Sequence, residues 1–323
     1  MQFRTIGRSG LRVSTLGLGC NNFGGRSSED QSRAVIHKAL DLGVTLFDTA
    51  DVYPLAAPGR SEEILGRALG VRRKDVVIAT KFGYPLDKEG RTGGGSRAYT
   101  VAATEASLKR LGTDAIDLMQ FHWPDPRTPI EETLRGLDDV VKQGKVRFIG
   151  CSNLPGWQLV HSLWSSEKEG LARFVCSQNQ YSLLEREVEI ELVDALRIHG
   201  LGLLPYFPLA GGFLTGKYRR GAAFPEGARL TKSEALRHMF INDARFDIVE
   251  RMAPWCAAQG MSMVDLAFRW LLAQDVVPSV IAGASAPEQV VENAKAVEGR
   301  LSAAQLAEVE TAAGNRPPLF ASY

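Results

Sequence analysis

The chain has 323 residues, of which 45% are hydrophobic and 23% are charged. This composition is ordinary for a globular protein that buries a sizeable core. The formal net charge of +1 at pH 7 argues against nucleic acid or an anionic membrane as the partner. No apolar run reaches the roughly 18 residues that a membrane span needs.

The N-terminal segment MQFRTIGRSGLRVS has no apolar signal-peptide core and predicts a short hairpin with Ser9 and Gly10 at its turn. The cysteines show no C-x-x-C spacing and are too few for a disulfide framework. They are Cys20, Cys151, Cys176 and Cys256. We therefore expect reduced thiols in a cytoplasmic protein, and we predict no metal site.

Apolar, β-branched segments alternate with helical patterns along the whole chain. The predicted strands are 15–20, 45–50, 76–81, 116–122, 146–153, 174–181, 202–209 and 279–284. The predicted helices are 28–42, 61–69, 98–111, 130–143, 155–168, 187–199, 243–259 and 287–297. Ser28 and Ser61 carry helix start signals, because acidic residues follow each of them directly. The alternation predicts one (β/α)₈ barrel domain spanning 1–323.

An open doubly wound sheet is the alternative to a barrel. Such a sheet normally carries G-x-G-x-x-G after its first strand, and LGLGCNNFGG does not fit that spacing. We expect the N-terminal hairpin to plug the bottom of the barrel. The segment 210–244 after the seventh strand predicts a long functional loop, and extra helices are predicted at 264–273 and in the C-terminal LSAAQLAEVE.

Four polar residues lie where predicted strands end. Asp48 and Tyr53 follow the second strand, Lys81 ends the third, and His122 ends the fourth. Active sites are built at the carboxyl ends of strands in parallel α/β folds. Each residue alone is more often a turn residue, a solvated side chain or a structural histidine. Their joint placement at three successive strand ends favours a catalytic centre.

These residue types suit proton transfer to a carbonyl oxygen. A free phenol has a pKa near ~10, and a neighbouring ammonium lowers it. We therefore expect Lys81, held by Asp48, to lower the pKa of Tyr53, which then acts as a general acid. His122 would give the same oxygen a second hydrogen bond and orient the substrate.

The segments LFDTADVY, VVIATK, LMQFHWPDP and SVIAGASAPEQVVENAKAV together resemble the aldo-keto reductases over almost the whole chain. The resemblance implies a (β/α)₈ barrel, an NADP(H) cofactor and reversible carbonyl reduction of a small-molecule substrate. It also implies that Asp48, Tyr53, Lys81 and His122 form the catalytic tetrad. Whether the protein is a monomer or a homo-oligomer stays open.

The resemblance also implies a set of cofactor-binding residues. Ser152, Asn153 and Gln178 match the residues that hold the nicotinamide carboxamide, and Tyr206 matches the aromatic residue that stacks on the ring. Phe207 stands where a serine is common, so backbone N–H groups would have to contact phosphate there. The full set is Cys20, Asn21, Asp48, Ser152, Asn153, Gln178, Tyr206, Phe207, Pro208, Leu209, Lys217, Arg229, Gly283, Ser285, Gln289, Glu292 and Asn293.

NADP(H) is expected over NAD(H). Lys217 and Arg229 match cationic positions near the cofactor's phosphates, and Ser285 can donate to a 2′-phosphate. Ala286 departs from relatives that carry an arginine there, which removes one charge.

A second pattern resembles the β subunits of voltage-gated potassium channels, which are reductase barrels that serve as regulatory partners. It consists of LGLG…FGG, LAGGFLTGKY, GASAPEQVVEN and GNRPP. His122 stands where those proteins have an asparagine, and the sequence shows no long N-terminal extension. A redox-sensing regulatory subunit is therefore the alternative to an enzyme.

The sequence does not identify the substrate. The predicted pocket walls are Asn21, Asn22, Phe23, Tyr53, Phe82, Trp123 and the loop 54–60. This mixture of aromatic and amide groups fits aldehydes, ketones, sugars and hydroxy-lipids alike.

Overall fold

A computed structural model of the protein describes residues 1–85 and 93–314. Within these ranges the strands are β1 Phe3–Thr5, β2 Arg12–Ser14, β3 Leu16–Gly19, β4 Leu46–Asp48, β5 Val77–Phe82, β6 Ile116–Phe121, β7 Val146–Ser152, β8 Phe174–Gln180, β9 Gly202–Tyr206 and β10 Val280–Gly283. From Asn315 onward, the GNRPP segment lies outside the described residues.

Strands β3 to β10 form the predicted parallel barrel. Strands β3 to β9 are neighbours in chain order, and β10 pairs with β3. The barrel is nearly closed, because the Leu203 N–H of β9 donates to the carbonyl oxygen of Val276, just before β10, at 2.7 Å. All eight carboxyl ends therefore surround one mouth.

The helices confirm the predicted alternation. They are α1 Glu29–Asp41, α2 Arg60–Leu69, α3 Arg97–Leu111, α4 Ile130–Lys142, α5 Gly156–Glu169, α6 Leu192–His199, α7 Arg229–Lys232, α8 Glu234–Phe240, α9 Asp243–Ala258, α10 Met263–Ala273, α11 Pro287–Ala296 and α12 Ala303–Ala313. The predicted helix at 187–199 is split into a 3₁₀ turn, Glu187–Glu189, and α6.

The helix start signals at Ser28 and Ser61 have different outcomes. Ser28 caps α1 through a capping box with Gln31. Ser61 does not cap α2, which begins at Arg60 after Gly59. The hydroxyl of Ser61 is buried instead and donates to the carbonyl oxygen of Cys20 at 2.8 Å. The residue therefore ties α2 to the end of β3.

The N-terminal hairpin closes the bottom of the barrel, as predicted. Ile6, Leu11 and Val13 pack in one apolar cluster with barrel-interior side chains such as Leu118. The Arg4 guanidinium donates to the carbonyl oxygens of Leu272 and Val277 at 2.8 and 2.9 Å. The hairpin is thus bonded to the chain just before β10.

The segment predicted as a long loop after β9 contains short helices. A 3₁₀ turn, Ala210–Thr215, is followed by α7 and α8. Leu230 and Phe240 are fully buried and both lie close to Gly211, where an added Cβ would approach each side chain to 2.8 Å. These apolar anchors fold the segment back beside the mouth.

Candidate active site

A buried ion pair joins two neighbouring strand ends. The Lys81 ammonium donates to Asp48 Oδ2 at 2.7 Å and to the carbonyl oxygen of Thr49 at 2.9 Å. Asp48 is paired with Ala79 across the ladder, which sets the register of β4 and β5. Burial by itself would lower the pKa of Lys81, but the charge of the Asp48 carboxylate raises it above its usual value. Lys81 therefore stays charged.

Two buried amides complete the surroundings of Asp48. Gln178 Nε2 donates to Asp48 Oδ1 at 2.8 Å, and Gln120 Nε2 donates to the same oxygen at 3.3 Å. Gln178 also donates to Gln120 Oε1 at 3.3 Å. Sequence reasoning missed Gln120, although a polar residue inside the apolar run IDLMQF signals a buried network. The Gln178 amide N–H groups support Asp48 here, and a carboxamide contact through its oxygen stays a prediction.

Tyr53 lies against this pair, but its pKa does not shift in the predicted direction. The Lys81 ammonium is 5.1 Å from the centroid of the Tyr53 ring. Burial is the largest influence and raises the pKa of Tyr53, and it outweighs the lowering by Lys81. The predicted net lowering of the Tyr53 pKa is therefore wrong. The hydration that a buried phenolate would lose outweighs the stabilisation that it would gain from the Lys81 ammonium. The phenol keeps its proton.

His122 faces Tyr53 across the mouth. The two ring centroids are 5.7 Å apart at an interplanar angle of 87°. Burial and the Lys81 charge lower the pKa of His122 well below 6.5, so the imidazole is neutral. Its buried Nδ1 has no hydrogen-bond partner within the described ranges. Tyr84, which sequence reasoning missed, lies 5.3 Å from the His122 ring.

The predicted carboxamide-binding residues meet beside His122. Asn153 has a left-handed backbone, with φ 63°. Its Nδ2 donates to the carbonyl oxygen of His122 at 3.0 Å, and its Oδ1 accepts from the Tyr206 hydroxyl at 2.8 Å. Ser152 Oγ donates to the carbonyl oxygen of Gln178 at 2.7 Å. These bonds lock the ends of β7, β8 and β9 together.

Two guanidinium groups lie on one side of the mouth. Arg229 packs over the Phe207 ring, with Cζ 4.8 Å from the centroid, and its buried Nε has no partner in the part of the chain that the structure describes. Burial and the charge of Arg26 lower the pKa of Arg229 to about 10. Arg26 itself donates to Asn22 Oδ1. Sequence reasoning missed Arg26, for which only its place after a Gly-Gly turn was a signal.

The other predicted cofactor residues lie just after β3, in the segment that follows β9, and at the end of β10 and on α11. Ser285 donates through its N–H and hydroxyl to Gln289 Oε1 at 2.8 and 3.2 Å. Leu209 accepts backbone bonds from the 3₁₀ turn after it. Asn21 is half-buried, Pro208 and Asn293 are buried, and Lys217, Gly283 and Glu292 are exposed. Cys20 is fully buried, and the charges of Asp48 and Lys81 reach its thiol.

Two predicted pocket walls are wrong. Phe23 and Phe82 are fully buried, and the Phe82 ring packs on Phe121 at 5.7 Å. Both rings belong to the apolar core cluster. Trp123 is 44% exposed and borders a cavity of ≈ 270 Å³ together with Asn153 and Tyr206. A larger cavity of ≈ 590 Å³ lies at the hairpin end of the barrel, away from this chemistry.

Residues 1–85 and 93–314 contain no group of three or more His, Cys, Asp or Glu side chains that could hold a metal ion. Among the helices described, none is both long and apolar enough to cross a membrane. The four cysteines are buried and unpaired.

Known proteins resemble this chain along nearly its whole length. The "Probable voltage-gated potassium channel subunit beta" of Arabidopsis thaliana is 37% identical over 309 residues, 92% of this chain and 92% of its own. The "L-glyceraldehyde 3-phosphate reductase" of Escherichia coli (strain K12) is 35% identical over 321 residues, 96% of this chain and 92% of its own. An uncharacterized oxidoreductase of Bacillus subtilis (strain 168) is 38% identical over 306 residues, 92% of this chain and 91% of its own.

A family model described as "Aldo/keto reductase family" matches residues 15–313. That range contains all eight barrel strands and every residue of the site described above. The chain belongs to the aldo/keto reductase family.

Proposed function

We propose that this protein is an NADP(H)-dependent oxidoreductase that interconverts a carbonyl group and an alcohol. The observation that carries the proposal is the position of the Tyr53 ring, whose centroid lies 5.1 Å from the Lys81 ammonium and 5.7 Å from the centroid of the His122 ring. A phenol in these surroundings can give a proton to an oxygen that gains negative charge. Relatives named as a reductase and an oxidoreductase support the same class of reaction.

The residues divide the work as follows. Tyr53 Oη donates its proton to the carbonyl oxygen in reduction and takes it back in oxidation. Lys81 stabilises the phenolate that this transfer leaves, and Asp48 keeps Lys81 in place through the 2.7 Å ion pair. His122 holds the substrate oxygen by a hydrogen bond. NADP(H), when bound, supplies or accepts the hydride.

The residues present fit such a cofactor. Hydrogen bonds fix the Asn153 amide and the Tyr206 ring next to His122. Arg229 offers a buried, unpartnered N–H, and Arg26 adds a second positive charge close enough to lower its pKa. Like charges placed together favour the binding of an anion. Phosphate oxygens would satisfy both guanidinium groups.

We further propose NADP(H) over NAD(H), by about one to three decades in Kd. A hydrogen bond to a charged group contributes roughly 1.5–3 kcal/mol, and about 1.4 kcal/mol is tenfold in affinity. Ser285 is the proposed donor to the 2′-phosphate. Titration of the wild-type protein with NADPH and NADH, followed by tryptophan fluorescence, tests this. Equal dissociation constants would defeat the assignment. The proposed compartment is the cytoplasm.

The decisive experiment is a substrate panel run in both directions and followed by NADPH absorbance. Because one relative is named L-glyceraldehyde 3-phosphate reductase, the panel includes phosphorylated and free aldehydes besides ketones, sugars and alcohols. Tyr53→Phe is the matched control, because it removes only the hydroxyl. Loss of a general acid costs about 10²–10⁴-fold in rate, so we expect at least that loss in kcat with NADPH affinity little changed. A variant that keeps more than about a tenth of the activity rules out the proposed acid.

The alternative is a regulatory subunit, favoured by the 37% identity to the Arabidopsis potassium channel subunit. His122 distinguishes this chain from the channel subunits that it resembles, which have an asparagine at that position. An asparagine side chain can still donate a hydrogen bond to a carbonyl oxygen. Negligible turnover on the whole panel, together with a tetrameric mass in solution, would favour this second function.

A further inference from the structure

The cavity of ≈ 590 Å³ at the bottom of the barrel, called the hairpin cavity below, has the size of a ligand pocket. Such pockets usually measure about 300–1,000 Å³. Its walls come from the hairpin, 3–12, from the end of α6 with the start of β9, 196–201, and from the segment 275–278 before β10. The proposed active site occupies the opposite ends of the strands, so the hairpin cavity does not contribute to it.

The hairpin cavity is lined by four guanidinium groups and one carboxylate. The guanidinium groups belong to Arg4, Arg8, Arg12 and Arg197, and the carboxylate belongs to Asp275. Asp275 is engaged by Arg197, whose Nε and Nη2 each donate to one of its oxygens at 2.8 Å. The other three arginines have no carboxylate partner within the described residues. A cleft lined by charges of one sign raises the local concentration of counter-ions.

These three guanidinium groups have unused hydrogen-bond donors. Among the residues that the structure describes, the side chains of Arg8 and Arg12 form no hydrogen bond, and Arg4 donates only through Nη1, to two backbone carbonyl oxygens. The Arg12 guanidinium packs over the Phe3 ring, with Cζ 5.1 Å from the centroid. A guanidinium carries five N–H donors in a fixed fork, and this fork matches two oxygens of one phosphate group.

Contacts with the end of α6 hold Arg8 at the cavity. The Arg8 N–H donates to the carbonyl oxygen of Gly200 at 2.7 Å, and a Cβ added at Gly200 would lie 2.6 Å from Arg8 Cδ. Carbonyl groups at the end of a helix repel anions. Here the Gly200 carbonyl is engaged by Arg8, and the His199 carbonyl accepts from Arg173 at 3.2 Å. The end of α6 therefore opposes an anion only weakly.

A further guanidinium adds to the positive charge near the hairpin. Arg300 Nη2 donates to Gln2 Oε1 at 3.3 Å, directly before β1. Burial and the charge of Arg300 lower the pKa of Arg4. Because the two cations repel each other, an anion bound at Arg4 would offset that repulsion.

We propose that the hairpin cavity binds a small molecule that carries two or more linked phosphate groups and an apolar part. Arg8 and Arg12 hold the phosphate oxygens with their free forks, and Arg4 adds its Nε and Nη2. A single phosphate group carries only about 1.5–2 negative charges, so linked phosphates match the three arginines better. The apolar part lies against Phe3, which is 40% exposed, and Pro278. This site is independent of the function proposed above.

Inorganic pyrophosphate is the probe, and isothermal titration calorimetry of the full chain at about 0.15 M salt is the measurement. The titration uses the Arg229→Ala protein beside the wild type, because this variant lacks a guanidinium proposed for the cofactor's phosphates. We expect pyrophosphate to bind both proteins with a Kd below about 1 mM. Adding Arg8→Ala and Arg12→Ala together should weaken this binding at least about 100-fold, since each charged hydrogen bond contributes about tenfold or more.

Two further variants make the test specific to the cavity. Arg33→Ala removes an exposed guanidinium of α1 and should leave the affinity for pyrophosphate unchanged. Asp275→Asn removes the one carboxylate of the cavity and should strengthen pyrophosphate binding, which a loss of stability would not do. If the double variant does not fold, Asp275→Asn decides.

Several outcomes would overturn the proposal, whether or not a carbonyl substrate is found. They are no pyrophosphate binding in Arg229→Ala, unchanged binding after the loss of Arg8 and Arg12, equal weakening in Arg33→Ala, and weaker or equal binding in Asp275→Asn. Sulfate that binds as tightly as pyrophosphate would show attraction to charge alone. A glutamate-rich peptide that binds these arginines more tightly than pyrophosphate would replace the small molecule by an acidic protein segment.

Discussion

Three buried polar atoms without a partner surround Tyr53 in the described ranges: His122 Nδ1, Arg229 Nε and Asp51 Oδ1. Native proteins leave few such atoms, because each costs about 1–3 kcal/mol. Their concentration around one phenol supports the proposed active site at this mouth. Favourable interactions elsewhere in the fold offset the cost of burying these three atoms without a partner.

Arg229→Ala tests the anion site at the scale of one residue. We expect NADPH binding to weaken about 10- to 100-fold, because a charged hydrogen bond of roughly 1.5–3 kcal/mol is lost. The measurement is Kd by tryptophan fluorescence quenching. Arg219→Ala is the matched control, since Arg219 is exposed on the same segment. Unchanged affinity in Arg229→Ala would remove the guanidinium from the cofactor site.

The imidazole of His122 should stay neutral throughout neutral pH. Burial and the neighbouring Lys81 both disfavour the imidazolium and lower the pKa well below 6.5. In a nuclear magnetic resonance titration, the His122 ring signals should not move between about pH 6 and 8, whereas a free imidazole titrates near ~6.5. His122→Asn assigns the signals. A midpoint inside that range would show that the charged form is tolerated.

At the scale of elements, α2 carries much of the site's support. Its Ser61 bonds to the end of β3, and its Glu62 holds both Arg110 of α3 and Thr80 of β5. The loop that presents Tyr53 lies between β4 and this helix. A displacement of α2 would therefore move the phenol relative to Lys81.

Gly66→Ala tests how closely α2 packs on α3. An added Cβ would lie 2.3 Å from the carbonyl oxygen of Leu111, so backbone must shift. Alanine in a helix normally gains about 1 kcal/mol over glycine. Here we expect the free energy of unfolding to fall by about 1–3 kcal/mol, as overpacking commonly costs. Urea denaturation measures it, with the exposed Glu167→Ala of α5 as control. A stabilised Gly66→Ala protein would contradict this packing.

At the scale of the whole molecule, the contacts that fasten the hairpin and the residues of the proposed active site lie at opposite ends of the barrel. The hairpin end is fastened by Arg4, while the site occupies the opposite ends of the same strands. Changes at the two ends should therefore affect different measurements.

Arg4→Ala should lower stability and spare activity. Two partly exposed hydrogen bonds to backbone are lost, which costs about 1–2 kcal/mol in the free energy of unfolding. The kcat/KM of the folded protein should equal that of the wild type, because Arg4 is at the far end of the barrel. Arg12→Ala is the control, since the Arg12 side chain packs over Phe3 within the hairpin. If both variants lost the same free energy of unfolding, the hydrogen bonds of Arg4 would not be what anchors the hairpin.

Much of this protein could be derived from its sequence. The apolar strand runs and capped helices predict the barrel, because periodicity depends on local geometry alone. The strand-end positions of Asp48, Lys81 and His122 predict that the three side chains meet, because carboxyl ends of parallel strands share one face.

Only the tertiary structure decided which side chains are in contact and which influence determines the pKa of each buried group. Gln120 reaches Asp48, and Arg26 approaches Arg229 across 203 positions of sequence (229 − 26). The pKa of Tyr53 rises because burial outweighs Lys81, and burial is a property of the packed molecule. Phe23 and Phe82 face the core for the same reason. A sequence specifies which chemical groups are available, but desolvation and long-range contacts set their proton affinities.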